Sequence, residues 1–359
     1  MDFKNILSFW YQQNKRDLPW RETSNPYHIW VSEVILQQTR VAQGLGYYQR
    51  FIESFPTIFH LAKAHEDEVL KLWQGLGYYT RARNLHKGAQ MIVSDYGGVM
   101  PKTYEELLKI KGIGTYSAGA IASFAYKIAV PAIDGNVYRI ISRIFGVFSS
   151  PESASGKREF FSLVSDLIDN NSPDSFNQAL LDFGALQCIP RSPKCVECPF
   201  NMHCFAFRNN MVEKLPVKGK KILVRDRYFT YLLIKYKGYT FISKRKSKDI
   251  WHSLYEFPLI ETEFLPQETD ISSLPEWKEL FKGDKTLITY VSPVIKHQLS
   301  HQTIYSRFVV VEPKVLSSKF SRNYLKVTTD KLSSYSVPRL IDNFLAAEPA
   351  ANYFLNPRQ

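Results

Sequence analysis

All four cysteines of this 359-residue chain fall in one short stretch, at Cys188, Cys195, Cys198 and Cys204, spaced C-x6-C-x2-C-x5-C. No other feature restricts the fold as much. Each short interval returns the chain to the same point, so four thiolates can wrap one metal centre and fix the loop 188–204. Zinc is the generic choice for four cysteines and an iron–sulfur cluster the other; the spacing leaves the metal open. Arg191, Lys194 and Arg208 lie around the loop, and a metal-stapled loop carrying cations is suited to press on phosphates. Its expected role is structural.

The loop also separates two textures. Before it, residues 1–205 read as a succession of helices: "HIWVSEVILQQTRVAQGLGYYQRFIESF" has apolar residues at helical spacing, and "DEVLKLWQGLG" and "TYEELLKIKGIG" each start on a capping-type residue and stop at glycine. After it, 206–224 reads as a linker rich in basic residues, proline and glycine. Residues 225–359 then turn β-rich. "RYFTYLLIKYKGYTFISKRK" is two strand-like runs around Lys237-Gly238, "SRFVVVEPKV" is another, and "SVPRLIDNFLAA" is a helix, giving an α+β domain. Lys and Arg number 46 against 34 Asp and Glu, a net charge of +12 that suits a polyanionic partner such as nucleic acid. No apolar run approaches the ~18 residues that span a bilayer, and the amino terminus lacks a signal-peptide core. The protein is therefore expected to stay inside the cell, away from membranes.

Three further features carry chemistry. In "LKIKGIGTYSAGAIASFA", Gly112 and Gly114 can take positive φ and leave backbone N–H groups uncovered at a helix start, the form of a helix-hairpin-helix that grips phosphate without reading bases. In "AVPAIDGNVYRI", Asp134 follows an apolar run and precedes Gly135 and Asn136; taken alone, it reads as a turn or helix cap. Glu33 stands among Val31, Val34 and Ile35. Most helical glutamates are solvated.

The combination of "LPWR" (18–21), "WVSEVILQQTRV" (30–41), "GLGYYTRARNL" (75–85), "GIGTYSAGAI", "AIDGNV" and the cysteine spacing resembles the MutY adenine DNA glycosylases, of the superfamily that includes endonuclease III. The likeness covers the helical half in order and continues more loosely beyond it. It implies an all-α helix-hairpin-helix glycosylase domain with a 4Fe-4S cluster on the four cysteines, followed by an α+β Nudix-like domain. It also implies the activity: a monomeric bacterial cytoplasmic enzyme that flips out and hydrolyses adenine mispaired with 8-oxoguanine, or with guanine, in double-stranded DNA. By the same resemblance Glu33 is the general acid, Asp134 stabilises or briefly captures the oxocarbenium-like sugar, and Tyr116 and Asn136 assist around them. Arg21 and Gln178 contact the flipped adenine, Gln38 and Tyr78 wedge into the stack, and Gly112 and Gly114 hold backbone phosphate. Leu299, Ser300 and His301 stand where the family reads 8-oxoguanine with Phe-Ser-His, so here the polar pair is kept and the aromatic is replaced. Residues 225–359 lack the metal-binding Nudix box, which points to lesion recognition instead of pyrophosphate hydrolysis.

Two rivals are weighed against this reading. An endonuclease III-like lyase for oxidised pyrimidines needs a lysine amine where Tyr116 stands, and a phenol cannot form an imine. A non-catalytic DNA-binding protein would have no use for acids at both Glu33 and Asp134.

Overall fold

The computed structural model describes residues 1–219, 224–281, 286–316 and 318–347. They divide into two units: Met1–Ala64 with Thr80–Lys220, and His65–Tyr79 with the described residues that follow Lys221.

The first unit has helices and, among its described residues, no strand. The helix Pro26–Leu36 is its most enclosed element: every residue from Ile29 to Ile35 is buried, as befits a sequence with no polar face. Asn25 caps its start by accepting the Tyr27 N–H at 2.9 Å, with Pro26 at the first helical position. At its other end Arg81 Nη1 donates to the carbonyls of Val34 (2.8 Å), Ile35 (3.1 Å) and Gln37, which satisfies groups the helix leaves unpaired. The long helical stretch read from the sequence breaks here. Gln38 adopts φ 57°, and a second helix, Val41–Ser54, begins after the turn. Helix Thr115–Tyr126 packs on Pro26–Leu36. Elsewhere on this helix a small residue is required by the chain that follows: a Cβ on Gly119 would lie 2.2 Å from the Pro131 carbonyl oxygen.

Helices Phe3–Asn14, Gly135–Phe145, Ala154–Leu167 and Pro173–Leu186 share a core that includes Leu7, Trp10, Ile140, Phe160, Phe183 and Phe200. Each such side chain contributes about 1.5–3 kcal/mol when fully buried. Part of the stretch expected to be linker belongs to this core. Ala206 and Leu215 are buried in it, and the Leu215 carbonyl accepts from Arg143 Nε at 3.1 Å.

The second unit contains β1 (Arg225–Ile234), β2 (Tyr239–Lys244), β3 (Tyr255–Glu256), β4 (Leu259–Thr262), β5 (Leu287–Val291), β6 (Ile295–Gln298), β7 (Gln302–Glu312) and β8 (Leu325–Thr328). The main sheet runs β4-β1-β7-β5 with β6 also on β7, and a second sheet runs β3-β2-β8. Lys237 and Gly238 make the expected tight turn with φ 51° and 78°, closed by Tyr236 and Tyr239. Beyond it the strands part instead of forming a hairpin. β1 is apolar on both faces, with Phe229, Tyr231 and Leu233 in one core and Leu232 and Ile234 in another, so it takes the middle of the main sheet beside parallel β7. The helix Arg339–Ala346 covers one face, with Phe344 stacked on Phe308 at 3.9 Å. This is the α+β arrangement anticipated from the sequence.

His65–Tyr79, numbered within the helical half, groups with this second unit. Asp67 accepts from Lys244 Nζ at 2.6 Å and from the Tyr255 hydroxyl at 2.9 Å, and Gln74 Nε2 donates to Asp342 Oδ1 at 2.7 Å. Contacts between residues so far apart in sequence leave no local signature.

Candidate active site

In the first unit a cavity of about 660 Å³ gathers Glu33, Tyr116, Asp134, Asn136, Arg21, Gln178 and Gln38 in its lining. Six separate segments supply them: the turn Pro19–Arg21, the enclosed helix, the turn after it with Gln38, the start of the helix Thr115–Tyr126, the start of Gly135–Phe145, and Pro173–Leu186.

Glu33 is 6% exposed, and the Tyr116 hydroxyl donates to its Oε2 at 2.5 Å. Burial is the main cause that raises its carboxyl to about 7, with the Asp134 charge adding to the rise while the Tyr116 bond and Arg21 oppose it. Burial, together with the two carboxylates, holds the Tyr116 hydroxyl well above the ordinary tyrosine range, so it remains a donor.

Asp134 is surrounded differently. Its Oδ1 accepts from the Asn136 (2.8 Å) and Val137 (3.0 Å) backbone N–H groups, and its Oδ2 from Asn136 Nδ2 at 2.7 Å. It is a helix cap and a cavity residue at once. Burial, the largest cause, leaves its carboxyl raised, and these donors and the Arg139 charge offset part of the rise. Asn136 is in turn fixed by Arg139, whose Nη2 donates to Asn136 Oδ1 at 2.7 Å and to the Gly184 carbonyl at 2.8 Å, while its Nε reaches the Cys188 carbonyl at 2.8 Å.

Arg21 is committed to a partner that the sequence did not reveal. Asp182, wholly buried, takes Arg21 Nη1 and Nη2, each at 2.8 Å, and Arg16 Nε at 2.7 Å. Arg21 Nη1 also donates to the Arg16 carbonyl at 3.0 Å. Its Nε and one Nη2 proton are therefore the donors it has left.

The turn expected to hold phosphate lies outside the cavity lining. Gly112 has φ 88°, as expected, but Gly114 has φ −95° and is the extended N-cap of Thr115–Tyr126. Positive φ is thus required at one glycine of the pair. At Gly114 the gain is space: no atom lies within 4 Å of where a Cβ would be, and no side chain caps the first N–H groups of the helix. Tyr78, Leu299, Ser300 and His301 belong to the second unit. Tyr78 is half exposed in the left-handed region (φ 48°), and its hydroxyl and Ser300 Oγ share a hydrogen bond. Ser300 and His301 are exposed at the tip between β6 and β7, while Leu299 packs toward the core. Gln38 and Tyr78, the two expected wedges, are both bulky residues at positive φ, a strain that tends to mark functional positions.

The cysteine loop presents four free thiols. Burial raises Cys195, Cys198 and Cys204, and the charges of the other cysteines add to it, so the sulfurs stand near enough to influence one another. Arg143 Nη1 lies 3.5 Å from Cys188 Sγ, a cation beside the expected anionic centre. Among the described residues no group of three or more His, Cys, Asp or Glu side chains is drawn into metal-holding geometry. The donor chemistry, four mutually interacting thiols on one short loop, fits a sulfur-ligated centre.

Known proteins agree with this organisation. A family model described as HhH-GPD superfamily base excision DNA repair protein matches residues 31–164, and one described as NUDIX domain matches residues 230–347. The adenine DNA glycosylase of Buchnera aphidicola (subsp. Baizongia pistaciae) is 34% identical, covering 84% of both chains, and that of Homo sapiens is 41% identical over 60% of this chain and 41% of its own. A thermostable thymine-DNA glycosylase structure aligns with TM-score 0.54 at 28% identity, over 58% of this chain and 95% of its own. No helix among the described residues is long and apolar enough to cross a membrane. The cavity residues, the two domain matches and the relatives that span most of the sequence lead to one assignment: this chain belongs to the adenine DNA glycosylase family.

Proposed function

We propose that this enzyme binds duplex DNA as a monomer in the bacterial cytoplasm, takes an adenine paired with 8-oxoguanine or guanine into the cavity, and hydrolyses its glycosidic bond. The observation that carries the reading is the pair of unlike carboxylates. Glu33 is buried and its carboxyl is raised to about 7, so it can carry a proton at physiological pH. Asp134 receives three N–H donors at a helix start, the surroundings of a carboxylate. Extruding the base costs a few kcal/mol, and the cavity then holds it away from the stack. Glu33 gives its proton to a ring nitrogen, the C1′–N9 bond breaks with its electron pair going to adenine, and Asp134 stabilises the positive sugar. Water then adds hydroxide at C1′ and releases a proton. Tyr116 orients Glu33, and Asn136 orients Asp134. Arg21 and Gln178 face the base.

Tyr116 stands where the lyase branch has its lysine, so no imine forms and the strand is not cut. Gly112 and Gly114 hold phosphate, Gln38 and Tyr78 support the opened stack, and the β6–β7 tip reads 8-oxoguanine through Ser300 and His301 with Leu299 as its anchor. Residues 1–64 and 80–219 carry the glycosylase site, and 65–79 with the described residues from 224 on carry the lesion-reading tip, in place of the division at 205 and 225 expected from the sequence. Cys188, Cys195, Cys198 and Cys204 would hold a 4Fe-4S cluster, which supplies a rigid, cation-bearing loop. Incubating the protein with labelled duplexes carrying A opposite 8-oxoguanine, A opposite G and an oxidised pyrimidine tests this. Adenine release with strand scission only after alkali is expected; cleavage at the pyrimidine without alkali would overturn the reading.

A further inference from the structure

Gln178 lines the cavity from helix Pro173–Leu186, and an amide can present either of two opposite faces to a base: a carbonyl acceptor or an N–H donor. The choice decides what base is accepted. The Tyr11 hydroxyl, from the amino-terminal helix, donates to Gln178 Oε1 at 2.9 Å. Among the described residues Gln178 Nε2 has no such partner, and Tyr11 is not part of the cavity lining. The neighbouring Asn177 is fully buried, bonded to Ser123 Oγ and the Val130 carbonyl through Nδ2 and to the Ala132 N–H through Oδ1, so the helix that carries Gln178 cannot rotate to relieve the constraint. Burial raises the Tyr11 hydroxyl above its ordinary range, with Arg21 and Arg16 opposing and Asp182 and Asp174 adding to the rise. It stays protonated, and a phenol is a stronger donor than acceptor toward an amide.

We propose that Tyr11 is a positioning residue for base selection: it engages the Gln178 carbonyl and thereby fixes the amide with its N–H donor toward the cavity. A base that presents a ring-nitrogen acceptor, as adenine does at N1, is matched. A base with N1–H there, such as hypoxanthine or guanine, sets donor against donor and leaves both unsatisfied. The inference rests on the cavity being the adenine site.

Single-turnover excision from duplexes carrying adenine or hypoxanthine opposite 8-oxoguanine, by wild type, Tyr11→Phe, Gln178→Ala and the double variant, tests it. Phe keeps the ring that packs in the core and removes only the hydroxyl. Tyr11→Phe is expected to lower the adenine-to-hypoxanthine rate ratio about tenfold, with affinity for the adenine duplex kept, and to have no effect on the ratio once residue 178 is alanine. A ratio within twofold of wild type in Tyr11→Phe, or an equal change in the Gln178→Ala background, overturns the proposal. Glu33→Gln is assayed alongside. Adenine release by Glu33→Gln at the wild-type rate overturns the cavity reading itself, whereas an inactive Glu33→Gln with an unchanged Tyr11→Phe ratio overturns the role of Tyr11 alone.

Discussion

The two carboxylates of one cavity lie in opposite surroundings. Glu33 sits on a helix buried on every side and receives one hydroxyl, whereas Asp134 caps the start of a helix, half-buried, and receives three N–H donors. On the proposed mechanism the same functional group takes two tasks, proton donor at Glu33 and negative charge at Asp134. Burial raises both; at Asp134 three N–H donors and the Arg139 charge offset part of the rise, at Glu33 one hydroxyl and Arg21.

The comparison is broken most severely by removing the proton. Glu33→Gln should lose about 10²–10⁴ in single-turnover excision, while still binding the mispaired duplex in a gel-shift titration. Asp134→Asn should cost about 10²–10³. Asn is as good a helix cap as Asp, so circular dichroism should show the fold intact, and a loss of binding with an unchanged chemical rate would count against the electrostatic role.

The same substitution sharpens the contrast in stability. Glu33 has a folded-state pKa near 7, above its unfolded value, so the folded state holds its proton more tightly, and stability falls as pH rises from about 4.5 to about 7. Glu33→Gln should remove that penalty and stabilise the protein by about 3 kcal/mol at pH 8, with little change at pH 4, in denaturant titrations. An equal effect at both pH values would mean that Glu33 is not desolvated as described. The smallest effect is reserved for Tyr116→Phe. Its hydrogen bond lowers the Glu33 carboxyl, so its loss should move the basic limb of the rate profile upward, read from rates between pH 6 and pH 9.

Much of the helical half was legible because its signals are local. Glu33, by contrast, read as a solvated helical glutamate when taken alone; its neighbours Val31, Val34 and Ile35 hinted at the enclosure that the structure shows. Asp134 before Gly135-Asn136 announced a cap, and the cap proved to be the cavity wall as well. What stayed hidden depends on pairing across the chain. Asp182 meets Arg21 161 residues away, and Gln178 meets Tyr11 across 167. Arg139 reads as one more basic residue on an amphipathic helix until Asn136, Gly184 and Cys188 are brought to it. In the second unit the Lys237-Gly238 turn was legible, but β2 pairs with β8, some eighty residues on, and no local pattern reports that partner.

The most direct test of the division between the two carboxylates is the single-turnover rate of adenine release as a function of pH. The wild type should lose activity as pH rises through about 7, where Glu33 gives up its proton, and Glu33→Gln should be slow and flat across the same range. A wild-type rate that is unchanged from pH 6 to pH 8, or a Glu33→Gln profile that falls in parallel with it, would contradict the assignment of the proton to Glu33.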